Sequence, residues 1–140
     1  MLRPMLGLAL GAALLSLAAC ATVKGSHAPD VNLKADKTYY VVHRSEDNGG
    51  VDKLIAKQLT TMGYTATSGD SPTPPAPVDV VVTYEDHWMW DMTMYMIRLS
   101  IQFHDGKTGA VIASAESYRP SLERKSPEGM VEEVLTQIYK

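Results

Sequence analysis

Two stretches of the chain place apolar residues at helical spacing. The first collects five apolar side chains on one helical face, with charged and amide side chains on the other: Val51, Leu54, Ile55, Leu59 and Met62. It ends at Gly63, the residue type that often follows a helix C-terminus. The second begins with Ser126, Pro127 and Glu128, which suit a capping residue, the first helical residue and a first-turn acid. Its apolar face comprises Met130, Val131, Val134, Leu135 and Ile138.

Five other stretches are rich in β-branched and aromatic residues or alternate between apolar and polar residues, which predicts strands. They are residues 38–43, 64–67, 78–85, 87–104 and 110–118. The intervening segments are typical of turns and loops, because they contain Asn-Gly-Gly, four prolines, and Asp-Gly with a second glycine. The order of elements predicts an α+β two-layer sandwich, in which a mixed sheet of four or five strands carries both helices on one face.

The alternation is clearest from residue 95 to residue 104. Tyr95, Ile97, Leu99, Ile101 and Phe103 fall on one face of the predicted strand, and the residues between them are Met96, Arg98, Ser100, Gln102 and His104. We therefore predict that the first set faces the core. The methionines at positions 92, 94 and 96 are then expected to share the solvent side.

The N-terminal residues 1–19 carry one positive charge, Arg3, and an apolar run of about fifteen residues, shorter than the ~20 that span a bilayer. This pattern predicts a secretory signal peptide. Residues 17–20 (LAAC) resemble the lipobox of bacterial lipoproteins, in which a peptidase cuts before the cysteine and that cysteine carries a diacylglycerol and an acyl chain such as palmitate. An ordinary cleaved signal with an incidental cysteine and an uncleaved anchor helix are the alternatives.

The lipobox resemblance implies a mature chain that begins at Cys20 and is held to a membrane by its lipid. In lipoproteins of enteric-type bacteria an Asp after the cysteine favours the inner membrane, so Ala21 favours the outer membrane, facing the periplasm, over the inner membrane. Residues 20–36 show no apolar period, which predicts a flexible tether. The remaining residues, 37–140, are expected to form a single domain.

Composition excludes several classes of function. Of 140 residues, 45% are hydrophobic and 21% charged, and the formal net charge is −3. A protein organised around nucleic-acid phosphates needs a dense basic face, so we predict no nucleic-acid partner. Cys20 is the only cysteine, which excludes an internal disulfide framework and a thiolate zinc cluster.

Methionine and tryptophan are concentrated in residues 87–96, and three interpretations of this cluster stay open. It is a surface facing a partner or a membrane, formed by Trp88, Met89, Trp90, Met92, Met94 and Met96, or it is ordinary packing beneath a helix or loop. The third is a soft-metal site for Cu(I) or Ag(I), with ligands His87, Met89, Met92 and Met94. The composition is similar to that of periplasmic copper and silver chaperones, but the predicted fold and the position of the histidine differ.

The sequence contains no Gly-x-Ser-x-Gly or Ser-x-x-Lys motif, and its cysteine is assigned to lipid, so we predict no enzymatic activity and no cofactor. The carboxylate pairs at 85–86 and 132–133 lie at a predicted strand end and on a predicted helix, without a cleft between them. Three histidines lack metal-ligand spacing, and we expect solvated or capping roles for His27, His43 and His104.

Four segments resemble small bacterial envelope lipoproteins of unassigned function. Residues 59–64 (LTTMGY) and 78–84 (VDVVVTY) match the general pattern, and residues 88–96 (WMWDMTMYM) and 121–128 (SLERKSPE) match a subgroup. The resemblance covers residues 38–139 and implies lipidation and the α+β domain, and it implies no activity. The fold is also similar to that of several envelope assembly lipoproteins.

Together these observations predict a lipid-anchored, non-enzymatic accessory protein that binds another envelope component, expected to be a protein, through the Met/Trp-rich strand. A periplasmic soft-metal-binding lipoprotein is the alternative. Arg119, Arg124 and Lys125 lie in the loop before the last helix, and we expect them to be solvated or to contact lipid headgroups or acidic groups of a partner.

Overall fold

The computed structural model describes residues 20–140, so the predicted signal peptide lies outside the described residues. The strands are β1 (Thr22–His27), β2 (Thr38–Val42), β3 (Thr65–Gly69), β4 (Val80–Asp91), β5 (Thr93–Asp105) and β6 (Val111–Tyr118). The helices are α1 (Val51–Thr61) and α2 (Pro127–Ile138), and single 3-10 turns occupy Leu33–Ala35 and Ser121–Glu123. No helix within residues 20–140 is both long and apolar enough to cross a membrane.

The six strands form one mixed sheet in the order β1-β6-β5-β4-β2-β3. Strand β2 runs parallel to β3 and β4, and the other neighbours are antiparallel. The α+β class and the two helices are confirmed. The predicted strand count of four or five is wrong, because β1 adds a sixth strand at the edge.

Strand β1 corrects the predicted tether. Thr22 pairs with Tyr118 and His27 pairs with Ala113, so this segment belongs to the sheet. A Cβ at Gly25 would lie 3.1 Å from Ser114 O and 3.2 Å from Gln137 Cγ, which shows how closely β6 and α2 approach the strand. The side chains of β1 are largely exposed and show no apolar period, so backbone pairing holds it, and periodicity could not reveal it.

The hydrophobic core lies between the sheet and the two helices. The apolar faces of α1 and α2 join one buried cluster with residues from β2, β4, β5 and β6. Leu33, another residue of the predicted tether, is also part of this core. At one end of the core the ring of Tyr139 stacks on Tyr64 at 5.3 Å, and its hydroxyl lies 2.6 Å from that of Tyr39.

The chain reverses direction at Met92, whereas the sequence predicts a single strand over residues 87–104. Residues 87–91 instead extend β4, and Asp91 pairs with Thr93 across the turn. Met92 has a φ of 61°, in the left-handed region that favours glycine and asparagine. Position 92 is occupied by methionine, which is not a residue type that marks such a turn. The reversal could not be predicted from turn chemistry for that reason.

A β-bulge interrupts the ladder between β4 and β5. His87 pairs with Arg98 but Trp88 pairs with Met96, so Ile97 has no partner on β4. The extra residue reverses the alternation of β5 and turns Met96 into the core, where it is fully buried. The prediction that Met96 lies on an exposed face is therefore wrong.

Candidate functional site

The outer halves of β4 and β5 form a two-stranded extension of the sheet, which we call the Met/Trp hairpin (residues 88–96). Strand β2 pairs with β4 only as far as Val82, and β6 pairs with β5 only as far as Arg98. Beyond the bulge the two strands pair only with each other, through Trp88–Met96, Met89–Tyr95, Trp90–Met94 and Asp91–Thr93. The hairpin therefore projects past the rest of the sheet.

The tip of this hairpin exposes four large apolar side chains. Met92 is 88% exposed, Trp90 70%, Met94 56% and Met89 49%. Within residues 20–140, the structure exposes only two other large hydrophobic residues, Val111 and Leu122. These four side chains are exposed rather than packed beneath a helix or loop, and together they form a concentration of apolar surface.

The loop between β6 and α2 packs against the hairpin and adds to this surface. The Arg124 guanidinium donates to Thr93 Oγ1 at 2.7 Å and to the Asp91 carbonyl at 3.2 Å. It also lies over the ring of Tyr95, 4.6 Å from the ring centroid. The Ser121 hydroxyl donates to the Asp91 carboxylate. The sequence predicts Arg124 to be solvated or to contact lipid headgroups or acidic groups of a partner. It does not reveal the contacts with the hairpin, because those residues are about thirty positions away in the chain.

Leu122 occupies the same loop and is 89% exposed. Because Ser121 and Arg124 on either side of it hold the hairpin, Leu122 is carried close to the hairpin tip. We define the apolar tip as Met89, Trp90, Met92, Met94 and Leu122.

The base of the hairpin is fixed by a buried carboxylate. Asp86 accepts a hydrogen bond from Trp88 Nε1 at 2.8 Å and forms an ion pair with Arg44 Nη1 at 3.0 Å. Trp88 is half-buried and packs against the core, so it supports the surface without belonging to the exposed tip. Of the six residues predicted for the partner surface, four are exposed.

The register of the sheet places the start of β1 at the same end as the apolar tip. Thr22 lies opposite Tyr118, and Tyr118 lies opposite Arg98. Strands β1 and β5 are both antiparallel to β6, so β1 and β5 enter the sheet from the same end. Cys20 is exposed, has a free thiol and comes two residues before Thr22. The predicted lipid attachment point and the apolar tip therefore share one end of the sheet.

The four predicted soft-metal ligands do not converge. Cross-strand partners share a face, so Met94 shares a face with Trp90, whereas Met89 shares the opposite face with Tyr95. His87 lies on the Met89 face, and its Nε2 is 3.7 Å from a carboxylate oxygen of Glu85. This arrangement leaves no common point at which the predicted ligands could hold one ion.

A different cluster, unnoticed in the sequence, gathers three metal-capable side chains: His43, Asp47 and Asp52. Asp47 is buried and accepts hydrogen bonds from Tyr84 Oη at 2.6 Å and from two backbone amides at the start of α1, those of Gly49 and Val51, each at 2.8 Å. Burial raises the pKa of Asp47, but these hydrogen bonds outweigh it and leave the pKa below its usual value.

The other two members of this cluster form an ion pair. His43 Nδ1 lies 3.1 Å from Oδ1 of the buried Asp52, and this hydrogen bond raises the pKa of His43 above its usual value. The cluster thus joins the end of β2 to the first turn of α1. Its contacts are those of a helix cap and an ion pair, which is a structural role.

Two other titratable residues considered in the sequence, Glu133 and His104, also make contacts within the fold. Glu133 accepts hydrogen bonds from Arg119 and, at 2.7 Å, from Ser117, which tie α2 to the end of β6. Burial raises the pKa of Glu133, yet these bonds leave it below its usual value. His104 Nε2 lies 2.8 Å from Thr83 Oγ1 on the neighbouring strand.

Neither a protein-family model nor a curated protein matches the chain. A solved PelC dodecamer from Paraburkholderia phytofirmans, a variant with one substitution, is similar in structure over 86% of this chain and 98% of its own, with a TM-score of 0.63 and 17% sequence identity. A second crystal form of the PelC dodecamer gives a TM-score of 0.61. At this identity the similarity shows the fold alone.

Two further solved structures overlap the chain more loosely. One is a DUF4136 family protein from Bacteroides thetaiotaomicron, with 11% identity, a TM-score of 0.49 and coverage of 84% of this chain and 93% of its own. The other is a minor lipoprotein from Acinetobacter baumannii, with 13% identity, a TM-score of 0.37 and coverage of 74% and 87%. At these TM-scores neither structure carries an assignment of family or function.

Proposed function

We propose that this protein is a lipid-anchored, non-enzymatic accessory protein of the bacterial envelope, which faces the periplasm from the outer membrane and binds another envelope component through its apolar tip. The observation that carries the proposal is the shared position of Cys20 and the tip at one end of the sheet. A protein held at Cys20 presents the tip close to the anchoring membrane, where an envelope component can reach it.

The exposure of the tip supports a binding role. Large apolar side chains that stay in water contribute no burial to the fold, and a contiguous group of them is typical of a surface that is covered in the working protein. Methionine side chains adapt to different surfaces, and tryptophan contributes a large contact area. Arg124 holds the loop and hairpin together, so Leu122 is kept beside the exposed side chains at the end of the hairpin.

The soft-metal alternative receives no support from the geometry. A Cu(I) site needs its thioether and imidazole ligands around one point, and here Met89 and Met94 lie on opposite faces of a two-stranded ribbon.

The proposed anchor is tested by replacing Cys20 with serine. Cys20 is exposed and precedes β1, so the variant should fold normally but leave the membrane fraction. Fractionation after a high-salt wash and a thermal melt measure the two outcomes. The variant is also made together with Met92→Asp, so that the apolar tip cannot hold it at the membrane; if this double variant stays membrane-bound, the lipobox is not the anchor.

The proposed surface is tested by photo-crosslinking in cells, with the crosslinking amino acid at Met94. The matched control carries it at Val111, which is 49% exposed and begins β6 at the opposite end of the sheet. We expect a discrete adduct from position 94 and none from position 111, with the adduct lost in the Cys20→Ser background. Mass spectrometry distinguishes a lipid, a second copy or another protein. Equal, diffuse adducts from both positions would contradict the proposed surface.

A further inference from the structure

We propose that the envelope component bound by the apolar tip is the lipid leaflet that carries the anchor, and that the tip inserts into its interfacial zone as a second, non-covalent anchor. This inference rests on the proposed function, because it needs lipid at Cys20. It assigns the exposed side chains to the bilayer rather than to a protein partner. Four structural observations lead to it.

The first observation is the short connection between the anchor and the sheet. Only Ala21 separates Cys20 from β1, whose six residues pair with β6. A lipid on Cys20 therefore holds the sheet edge at the leaflet, and the chain between them has no length in which to move the domain away. The end of the sheet that faces the leaflet is the end from which the hairpin projects.

The second observation is the reach of the hairpin. Thr22 is level with Arg98, and Met92 at the tip is six positions earlier in the chain, one of which is the bulge residue Ile97, so the tip extends about 17 Å beyond that level at ~3.3 Å per ladder step. Cys20 lies two residues beyond Thr22, or about 7 Å on the same scale. The tip thus passes Cys20 by about 10 Å in an upright sheet, and a tilted sheet brings it to a shallower depth. This distance exceeds the roughly 5–8 Å thickness of one headgroup region.

The third observation is the chemistry of the tip. Tryptophan favours the boundary between headgroups and acyl chains, and methionine and leucine favour the apolar side of it. Within the hairpin ladder the backbone groups that face the partner strand are paired, and the Asp91 carbonyl accepts from Arg124. The outward-facing groups of the two strands need water or headgroups as partners, which confines insertion to the interfacial zone. Asp91, the acidic residue beside the tip, accepts a hydrogen bond from Ser121 and lies 3.9 Å from the Arg124 guanidinium, which offsets part of its charge.

The fourth observation is the pairing of the surrounding charges. Arg98 is paired with Glu116, Arg119 and Lys125 with Glu133, and Arg124 with Asp91. With these cations already occupied, attraction to lipid phosphates is not the main force. The main force is the insertion of apolar side chains, so the contact between the tip and the leaflet should be nearly independent of salt concentration.

The two tryptophans of the chain, Trp88 and Trp90, allow a direct test with the lipidated, full-length processed protein reconstituted into vesicles of phosphatidylethanolamine and phosphatidylglycerol. The lipids carry bromine on their acyl chains, which quenches nearby tryptophan. Subtracting the emission of the Trp90→Phe variant from that of the wild type isolates Trp90, and the variant itself reports Trp88, the half-buried internal control. The Trp90 side chain is largely exposed, so its replacement leaves the fold intact.

We expect Trp90 emission to shift to shorter wavelength on reconstitution and to be quenched by the brominated lipids in both low and high salt. Trp88 emission should change much less, because its ring is packed against the protein. A Met92→Asp variant should lose the quenching of Trp90 while remaining in the membrane through Cys20. Quenching of Trp90 no greater than that of Trp88 would overturn the inference.

The failure of this inference is distinguishable from that of the proposed function. If Trp90 is not quenched by lipid but Met94 crosslinks to a discrete protein in cells, the leaflet is the wrong component and the proposed binding surface stands. If Trp90 is quenched only at low salt, headgroup charge rather than apolar insertion holds the tip, and the inference is again wrong. If a Cys20→Ser, Met92→Asp double variant, which lacks both proposed anchors, stays in the membrane, the lipobox is not the anchor and both proposals fall.

Discussion

Replacing Met96 with alanine tests the bulge that separates the Met/Trp hairpin from the rest of the sheet. Met96 is fully buried, so the truncation leaves a cavity in the core and should lower the free energy of unfolding by about 2–5 kcal/mol. Met94, two residues earlier, is 56% exposed, and Met94→Ala should change the free energy of unfolding by about 0.5 kcal/mol or less. The two variants remove the same atoms from the same strand, so each is the control for the other.

Urea unfolding followed by circular dichroism measures this difference, with both variants made in the Cys20→Ser background so that no detergent is needed. With an m-value of about 1.5 kcal/mol/M, a loss of ~3 kcal/mol lowers the unfolding midpoint by about 2 M. The m-values themselves should agree, since the same surface is exposed on unfolding. Equal midpoints for Met96→Ala and Met94→Ala would show that the two side chains share one environment, and the bulged register would then be wrong.

Four other predictions follow from contacts in the fold. Replacing Arg124 with alanine should speed amide hydrogen exchange at the hairpin and cost about 1 kcal/mol, because Asp91 and the ring beneath the guanidinium lose their partner; unchanged exchange would contradict this. The pKa of His43, followed by NMR, should lie above its ordinary value in the wild type and fall in the Asp52→Asn variant. Because the pKa of His43 is higher in the folded than in the unfolded state, the His43–Asp52 pair stabilises the fold at pH values below the unfolded-state pKa. That stabilisation is lost as the pH rises through the folded-state pKa. A chain that starts at Ala35 lacks β1 and should therefore unfold at a lower temperature than a chain that starts at residue 21. Equal melting temperatures would show that the residues before Ala35 do not stabilise the fold, as the predicted tether requires. Titration with Cu(I) or Ag(I) under reducing conditions should show no stoichiometric quenching of tryptophan, because the four predicted ligands are divided between the faces of the hairpin, and a sharp end point would refute that division.

The parts of the fold that depend on side-chain burial could be predicted from the sequence. Both helices follow from apolar periodicity, and the second also from its N-terminal residues, where Ser126 Oγ accepts a hydrogen bond from Gly129 N at 3.1 Å as expected of a cap. The inner half of β5 has the predicted face in the core, since Leu99, Ile101 and Phe103 are buried. In each case one face of the element is buried and the other is exposed to solvent, so apolar and polar residues alternate with the period of that element.

The parts that the sequence does not reveal depend on the backbone or on distant pairing. Strand β1 is held by the ladder to β6, and a ladder hydrogen bond leaves no mark on residue type. The bulge at Ile97 and the reversal at Met92 likewise lack a distinctive residue, and together they account for the wrong face predicted for Met96. Of the candidate site, the exposed methionines could be predicted, but the contribution of Leu122 depends on the Arg124 contacts, which only the folded chain reveals.

The direct joint between Cys20 and β1 has a mechanical consequence. A pull on the lipid, such as extraction of the protein from its membrane would exert, acts along the axis of β1 and away from Thr22. The β1–β6 ladder then bears the load in shear, with the hydrogen bonds from Thr22 to His27 stressed together rather than opened one after another. An edge strand with largely exposed side chains is in this way placed in the orientation in which it resists force best, and a lipid attached at Cys20, as proposed, would move with the domain as one body.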